Sequence, residues 1–121
     1  MPGGKRRLKM LMTTGIRVGS ASDSTWVKDI MAGSVSISTP IFTGGTPGSV
    51  ASAAATIAGM TASHTLLAGP ESVCAMGGCI IYAGACPAAN GANFYFGYLA
   101  ACGGEAVTAK TVTMRYLAFR T

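Results

Sequence analysis

At 121 residues the chain is long enough to bury one core and too short for two domains. Only 11% of it is charged, against the roughly 25–35% with which a free domain covers its surface, which excludes a body dispersed by charge and calls for one that is covered. The net +5 is carried by Lys5, Arg6, Arg7, Lys9 and Arg17, because Lys28, Lys110, Arg115 and Arg120 balance Asp23, Asp29, Glu71 and Glu105.

In chain order, residues 1–14 read as a flexible basic arm, since terminal segments order only when something ties them down. Leu8, Met10, Leu11 and Met12 are too short an apolar run for a secretory signal, so none is expected. A first strand is expected near Ile16–Val18. Ser22 or Asp23 can then cap a short helix over Ser24–Met31, which Gly33 ends. Met31–Ser38 reads as the next strand. Its end, Ser34-Val35-Ser36-Ile37-Ser38, puts apolar side chains on one face and serines on the other.

Thr39–Ser49 holds Pro40, Pro47 and three glycines and is expected to be a loop. Further strands are expected at Ala51–Ala58, His64–Ala68, Cys79–Cys86, Asn93–Ala101 and Thr111–Arg120. In the last, Val112, Met114, Tyr116 and Ala118 form the inner face and Thr111, Thr113 and Arg115 the outer. Leu117 and Phe119 break that outer polarity, so this end of the strand is expected to be covered. Phe94, Tyr95, Phe96 and Tyr98 put apolar bulk on both faces of their strand, which places it centrally or at a subunit interface.

Short apolar runs punctuated by Gly, Pro, Ser and Asn at intervals of about ten residues mark an all-β chain. The expectation is a small antiparallel β-sandwich, jelly-roll-like, of about seven or eight strands over residues 15–121. With few aromatics, its core is expected to be built from thin side chains that stabilise weakly, at about 25 cal/mol per Å² buried. The uncharged run from Ser72 to Gly104 is long enough to cross a bilayer. Pro87, Asn90, Asn93 and the glycines Gly77, Gly78, Gly84, Gly91 and Gly97 argue against a membrane helix there, and no membrane partner is expected.

Cys74, Cys79, Cys86 and Cys102 are spaced too widely for a structural zinc set. Two readings of them stand. They are small buried hydrophobes, or Cys79 and Cys102 form a disulfide, because a two-residue turn at Asn90-Gly91 would set them opposite each other. His64 is the single histidine, with no acid in its own strand to orient it. The four carboxylates are scattered, and neither glycine-rich loop is followed by a phosphate-binding cation. No catalytic, cofactor or metal residue is expected, and the chain does not read as an enzyme.

The contacts expected are those of assembly. Lys5, Arg6, Arg7 and Lys9 anchor the arm to an acidic neighbour or to packaged nucleic acid. Trp26, Phe94, Tyr95, Phe96 and Tyr98 supply interface area, aromatic side chains being common anchors. Two other roles use the same body: Tyr82, Tyr95, Tyr98 and Asn93 as an aromatic platform for a glycan, or a filament subunit that packs on its own copies.

Four segments carry a resemblance. The chain opens with Gly15-Ile16-Arg17-Val18-Gly19 and Gly33-Ser34-Val35-Ser36-Ile37. It continues through Ala55–Met60 into His64-Thr65-Leu66-Leu67 and the Gly69-Pro70 step, then Tyr82-Ala83-Gly84-Ala85, and closes on Val112–Arg120. Together these resemble small β-sandwich virion proteins of tailed bacteriophages. Thr61-Ala62-Ser63 stands where that pattern has an Asp-bearing turn, and Phe94-Tyr95-Phe96 where it has alternating valines. The resemblance implies a structural role on the virion, as a capsid decoration, head-fibre or tail-fibre subunit. It further implies a trimer or another symmetric oligomer that contacts major capsid or tail proteins.

Overall fold

The computed structural model describes residues 15–20, 22–42, 49–72, 78–99 and 106–121. Seven strands follow one another: β1 (Gly15–Gly19), β2 (Ser24–Ser38), β3 (Val50–Thr56), β4 (Thr65–Pro70), β5 (Ile80–Ala88), β6 (Gly91–Tyr98) and β7 (Thr111–Arg120). They form two antiparallel sheets, ordered β1-β2-β7-β4 and β3-β6-β5, packed as a small sandwich. Across it β2 lies over β3, and β4 over β5. Each strand expected from the sequence is present, with ends shifted by at most three residues except in β2, which begins seven residues earlier.

Alternation sets the core. Val112, Met114 and Ala118 of β7 are buried, Tyr116 is half-buried, and Ile37 and Val35 of β2 face the same way while the serines between them are exposed. From the facing sheet come Ala92, Phe94, Phe96 and Tyr98 of β6 and Ile80 of β5. Phe94, Phe96, Met60, Met114 and Val112 are the largest fully buried side chains. The core is therefore not thin: the few bulky residues gather at its centre, and the alanines Ala51, Ala53, Ala55, Ala68 and Ala85 pack round its rim. Phe42 extends it by a bridge to Val107, with its ring 5.6 Å from that of Tyr98.

The expected helix over Ser24–Met31 is absent; those residues are the first half of β2, a strand of fifteen residues. Thr25, Trp26, Val27 and Ile30 are β-branched or aromatic and lose side-chain freedom in a helix, and β1 offers a ladder from Gly19↔Ser24 to Gly15↔Lys28. β7 pairs with β2 only from Lys28 onward, so β1 and the start of β2 continue past the end of β7 as a two-stranded ribbon. A bulge between Lys28 and Met31 marks the junction, with Asp29 at φ 51°. Asp tolerates that left-handed conformation better than most residues.

The β5–β6 hairpin turns one residue earlier than expected. Ala88 stands opposite Gly91, so Ala89 and Asn90 form the turn, with Asn90 at φ 55°. A bulge between Tyr82 and Gly84 shifts the ladder again. Cys79 consequently lies beside Leu99, whose N–H donates to its carbonyl at 2.9 Å, and the register that would set it against Cys102 does not form. Cys79 is nonetheless disulfide-bonded; its partner lies outside the described residues, as do Cys74 and Cys102. Cys86 is free and exposed.

Asn90 also ties the hairpin to the turn after β3. Its carbonyl accepts from Ile57 N–H (3.0 Å), its own N–H donates to the Met60 carbonyl (2.8 Å), and its Oδ1 accepts from Gly59 N–H (3.3 Å). At Gly91 a Cβ would stand 2.6 Å from the Ala55 carbonyl oxygen, so only glycine permits β3 to close this tightly on β6.

Candidate interaction surface

The outer face of the four-stranded sheet should be polar by simple alternation, and part of it is not. Leu67 of β4 is opposite Leu117 of β7, which is opposite Ala32 of β2. The two leucines are 56% and 42% exposed. One row further along, Thr65 meets Phe119, and the β2 bulge beside it carries exposed Ile30. Opposed residues of an antiparallel pair share a face, so this row and the Leu67–Leu117 row make one apolar strip. The ribbon adds to it: Ile16 pairs with Val27 and Val18 with Thr25, and Ile16 and Val18 are about half exposed. Apolar groups grouped this way mark a contact surface more than scattered ones do.

The other face of the ribbon carries Trp26, 43% exposed, opposite Arg17. The guanidinium carbon of Arg17 is 6.0 Å from the Trp26 ring centroid, within reach of a cation–π contact. The indole lies over Gly15, where a Cβ would come within 2.9 Å of the ring and 2.4 Å of the Val27 carbonyl oxygen. Glycine at this point leaves room for the Trp26 ring against the ribbon.

At the root of the ribbon sits a polar knot. His64 is buried (6% exposed) and its Nδ1 accepts from Thr61 N–H at 3.1 Å. Nε2 therefore carries the proton and donates to the Asp29 carbonyl at 3.2 Å. The Asp29 carboxylate turns the other way and takes Nε–H of Arg120 at 2.6 Å, with a second Arg120 nitrogen in contact. An open cleft of ≈ 530 Å³ lies here, lined by Ile30, Met31, Ala58 and Gly59 besides the knot. Both ring nitrogens of His64 are committed, and Asp29 offers it a carbonyl, so the group works as a brace between the β3–β4 turn and the β2 bulge. Among the described residues, no three His, Cys, Asp or Glu side chains stand close enough to hold a metal ion.

His64→Ala is expected to lower stability by about 2 kcal/mol, because it leaves the Thr61 N–H and the Asp29 carbonyl without these partners. Urea unfolding measures the loss. Trp26, the single tryptophan, should report faster local motion by fluorescence anisotropy as the ribbon loses its brace.

The expected contact residues are divided by the fold. Lys5, Arg6, Arg7 and Lys9 lie outside the described residues. Trp26 and Tyr95 are exposed. Phe94, Phe96 and Tyr98, expected at an interface, are instead in the chain's own core at 0%, 0% and 3% exposure, because β6 is the middle strand of its sheet and its even-numbered residues point inward. Nor do the tyrosines of the supposed glycan platform share a face. Tyr95 and Asn93 point outward, whereas Tyr98 is buried and Tyr82 sits edge-on to Phe96 at 5.7 Å. Burial pushes the Tyr82 phenol above its ordinary range.

Nothing in the local sequence pattern marks Ile16, Val18, Ile30 or Leu67 as contact residues. The broken alternation at Leu117 and Phe119 was the signal available, and the register that brings Leu67 and Ile30 beside them is not written in any local pattern. Compared with known proteins, the chain matches no family model, no curated protein and no solved structure.

Proposed function

We propose that the chain is a non-enzymatic structural protein of a virion, of the capsid-decoration or head-fibre kind. It attaches to the particle through its basic arm and the apolar strip of its outer sheet, beside copies of itself. The observation that carries this reading is the strip: Ile16, Val18, Leu67 and Leu117, all large and all about half exposed, on one side of a body whose charges nearly cancel. Water-exposed apolar area of this kind is stabilised by being covered. The segmental resemblance to phage β-sandwich proteins supplies the setting, and the arm's sorted charge supplies an electrostatic anchor for an acidic surface.

Reversing the arm's charge tests it. Lys5→Glu, Arg6→Glu, Arg7→Glu and Lys9→Glu together should reduce the copies retained on purified particles at least tenfold and leave the far-UV circular dichroism of the free chain unchanged. Undiminished incorporation would sink the anchoring role.

A further inference from the structure

The two flanks of the sandwich are guarded very differently. On one, β5 is interrupted by the Tyr82/Gly84 bulge and Pro87, and β4 ends in Gly69-Pro70. Bulges and prolines at sheet edges prevent further strands from adding. On the other, β3 reads Val50-Ala51-Ser52-Ala53-Ala54-Ala55-Thr56, with no charge, no proline and an unbroken register against β6. Its far side pairs with no strand among the described residues. The Met31–Ser38 stretch of β2 above it is likewise uncharged.

The backbone direction of that edge follows from its ends. The Ser49 carbonyl accepts from Tyr98 N–H (2.9 Å) and Ile57 N–H donates to the Asn90 carbonyl (3.0 Å). Backbone groups alternate along a strand, so odd-numbered residues face β6, and Val50, Ser52, Ala54 and Thr56 turn their N–H and C=O outward. An edge of this kind takes an added strand in place of water.

We propose that this edge binds the same edge of a second copy, antiparallel, about a two-fold axis at Ala53, which joins two three-stranded sheets into one. The strand is its own complement. In this register Val50 meets the partner's Thr56, two β-branched side chains of nearly equal size. Ala51 meets the partner's Ala55, Ser52 the partner's Ala54, and every outward-turned backbone group meets another. No charge opposes a charge and no bulky side chain opposes another. β1, Gly15-Ile16-Arg17-Val18-Gly19, has the same near-palindromic form, but a two-fold there would set Arg17 against the partner's Arg17, and like charges directly opposed are destabilising. The isologous pairing thus belongs to β3.

This names the self-association surface within the assembly reading above and rests on that reading only for its purpose; its test uses the purified full chain without particles. The solution mass should rise with concentration from 12.2 kDa toward twice that value, as expected of a small interface. Ala54→Pro removes one outward N–H and leaves the β6 ladder intact, and should hold the mass at the monomer value; Ala54→Val, which keeps the N–H, should still double it. In the wild-type chain the amides of Ser52 and Ala54 should exchange with solvent at least tenfold more slowly at high concentration than at low, a reading that decides the matter even if the proline variant misfolds. A wild-type mass that stays monomeric, a three-fold assembly, doubling that survives in a folded Ala54→Pro variant, or amide exchange independent of concentration would each overturn the pairing. Failure of the arm-reversal test with doubling intact would overturn the particle role and leave this edge standing.

Discussion

Replacing Phe94 by Ala is expected to destabilise the fold by about 4 kcal/mol, near the middle of the range for deleting a buried aromatic side chain. The ring is fully buried on the central strand β6 and is flanked in register by Ala53 on β3 and Ala85 on β5. Those neighbours are what make the loss large. A cavity is refilled only when adjacent side chains are long enough to lean into it, and here the substitution sets three alanines side by side. Against a total stability of about 5–15 kcal/mol for a domain, the variant stands close to unfolding. Urea denaturation should show a lower midpoint with an unchanged slope. Phe94→Leu, which keeps most of the volume, should recover more than half of the loss. A cost below about 1 kcal/mol for Phe94→Ala would mean that the two sheets do not close on this ring.

The second large effect is on attachment. Leu67→Lys combined with Leu117→Glu places opposite charges on directly opposed positions of β4 and β7, so the pair compensates across the strands and stability should change by less than about 1 kcal/mol. The outer strip, by contrast, loses its two central apolar side chains and gains two charges that a covering surface would have to desolvate. Copies retained on particles should fall at least tenfold. The solution mass of the free chain should be unaffected, because β3 is in the other sheet. Full retention would show that the strip is not the attachment face.

These two residue sets differ in how well the sequence announces them. The inner face of β7 is written in the chain as Val112, Met114, Tyr116 and Ala118 at every second position, and the structure places them inward. Ser34–Ser38 is equally plain. Phe94, Phe96 and Tyr98 were legible as apolar but not as core, since a strand with bulk on both faces fits a central position and an interface alike; sheet order alone decides between them. Ser24–Met31 misled because a capping residue before Trp26 and Val27 suits a helix locally, while the stabilising ladder comes from β1, whose pairing is a non-local matter. The β5–β6 register went astray by one turn residue and one bulge, and in strands a one-residue slip moves every side chain to the opposite face.

What the sequence determined by itself is therefore the class and the spacing: about seven strands, the approximate bounds of all but β2, the nearly neutral body and the sorted positive charge, all of them consequences of composition and of a period of two along a single strand. Only the tertiary structure decided which residues meet. Strand order put β6 in the middle and the leucines Leu67 and Leu117 outside. Two bulges set the aim of the ribbon and the partner of Cys79's backbone, and the folded loops brought His64 onto Asp29. The physical reason is that pairing is a choice among distant segments of nearly equal local propensity, settled by how well whole faces pack and by which backbone edges remain open.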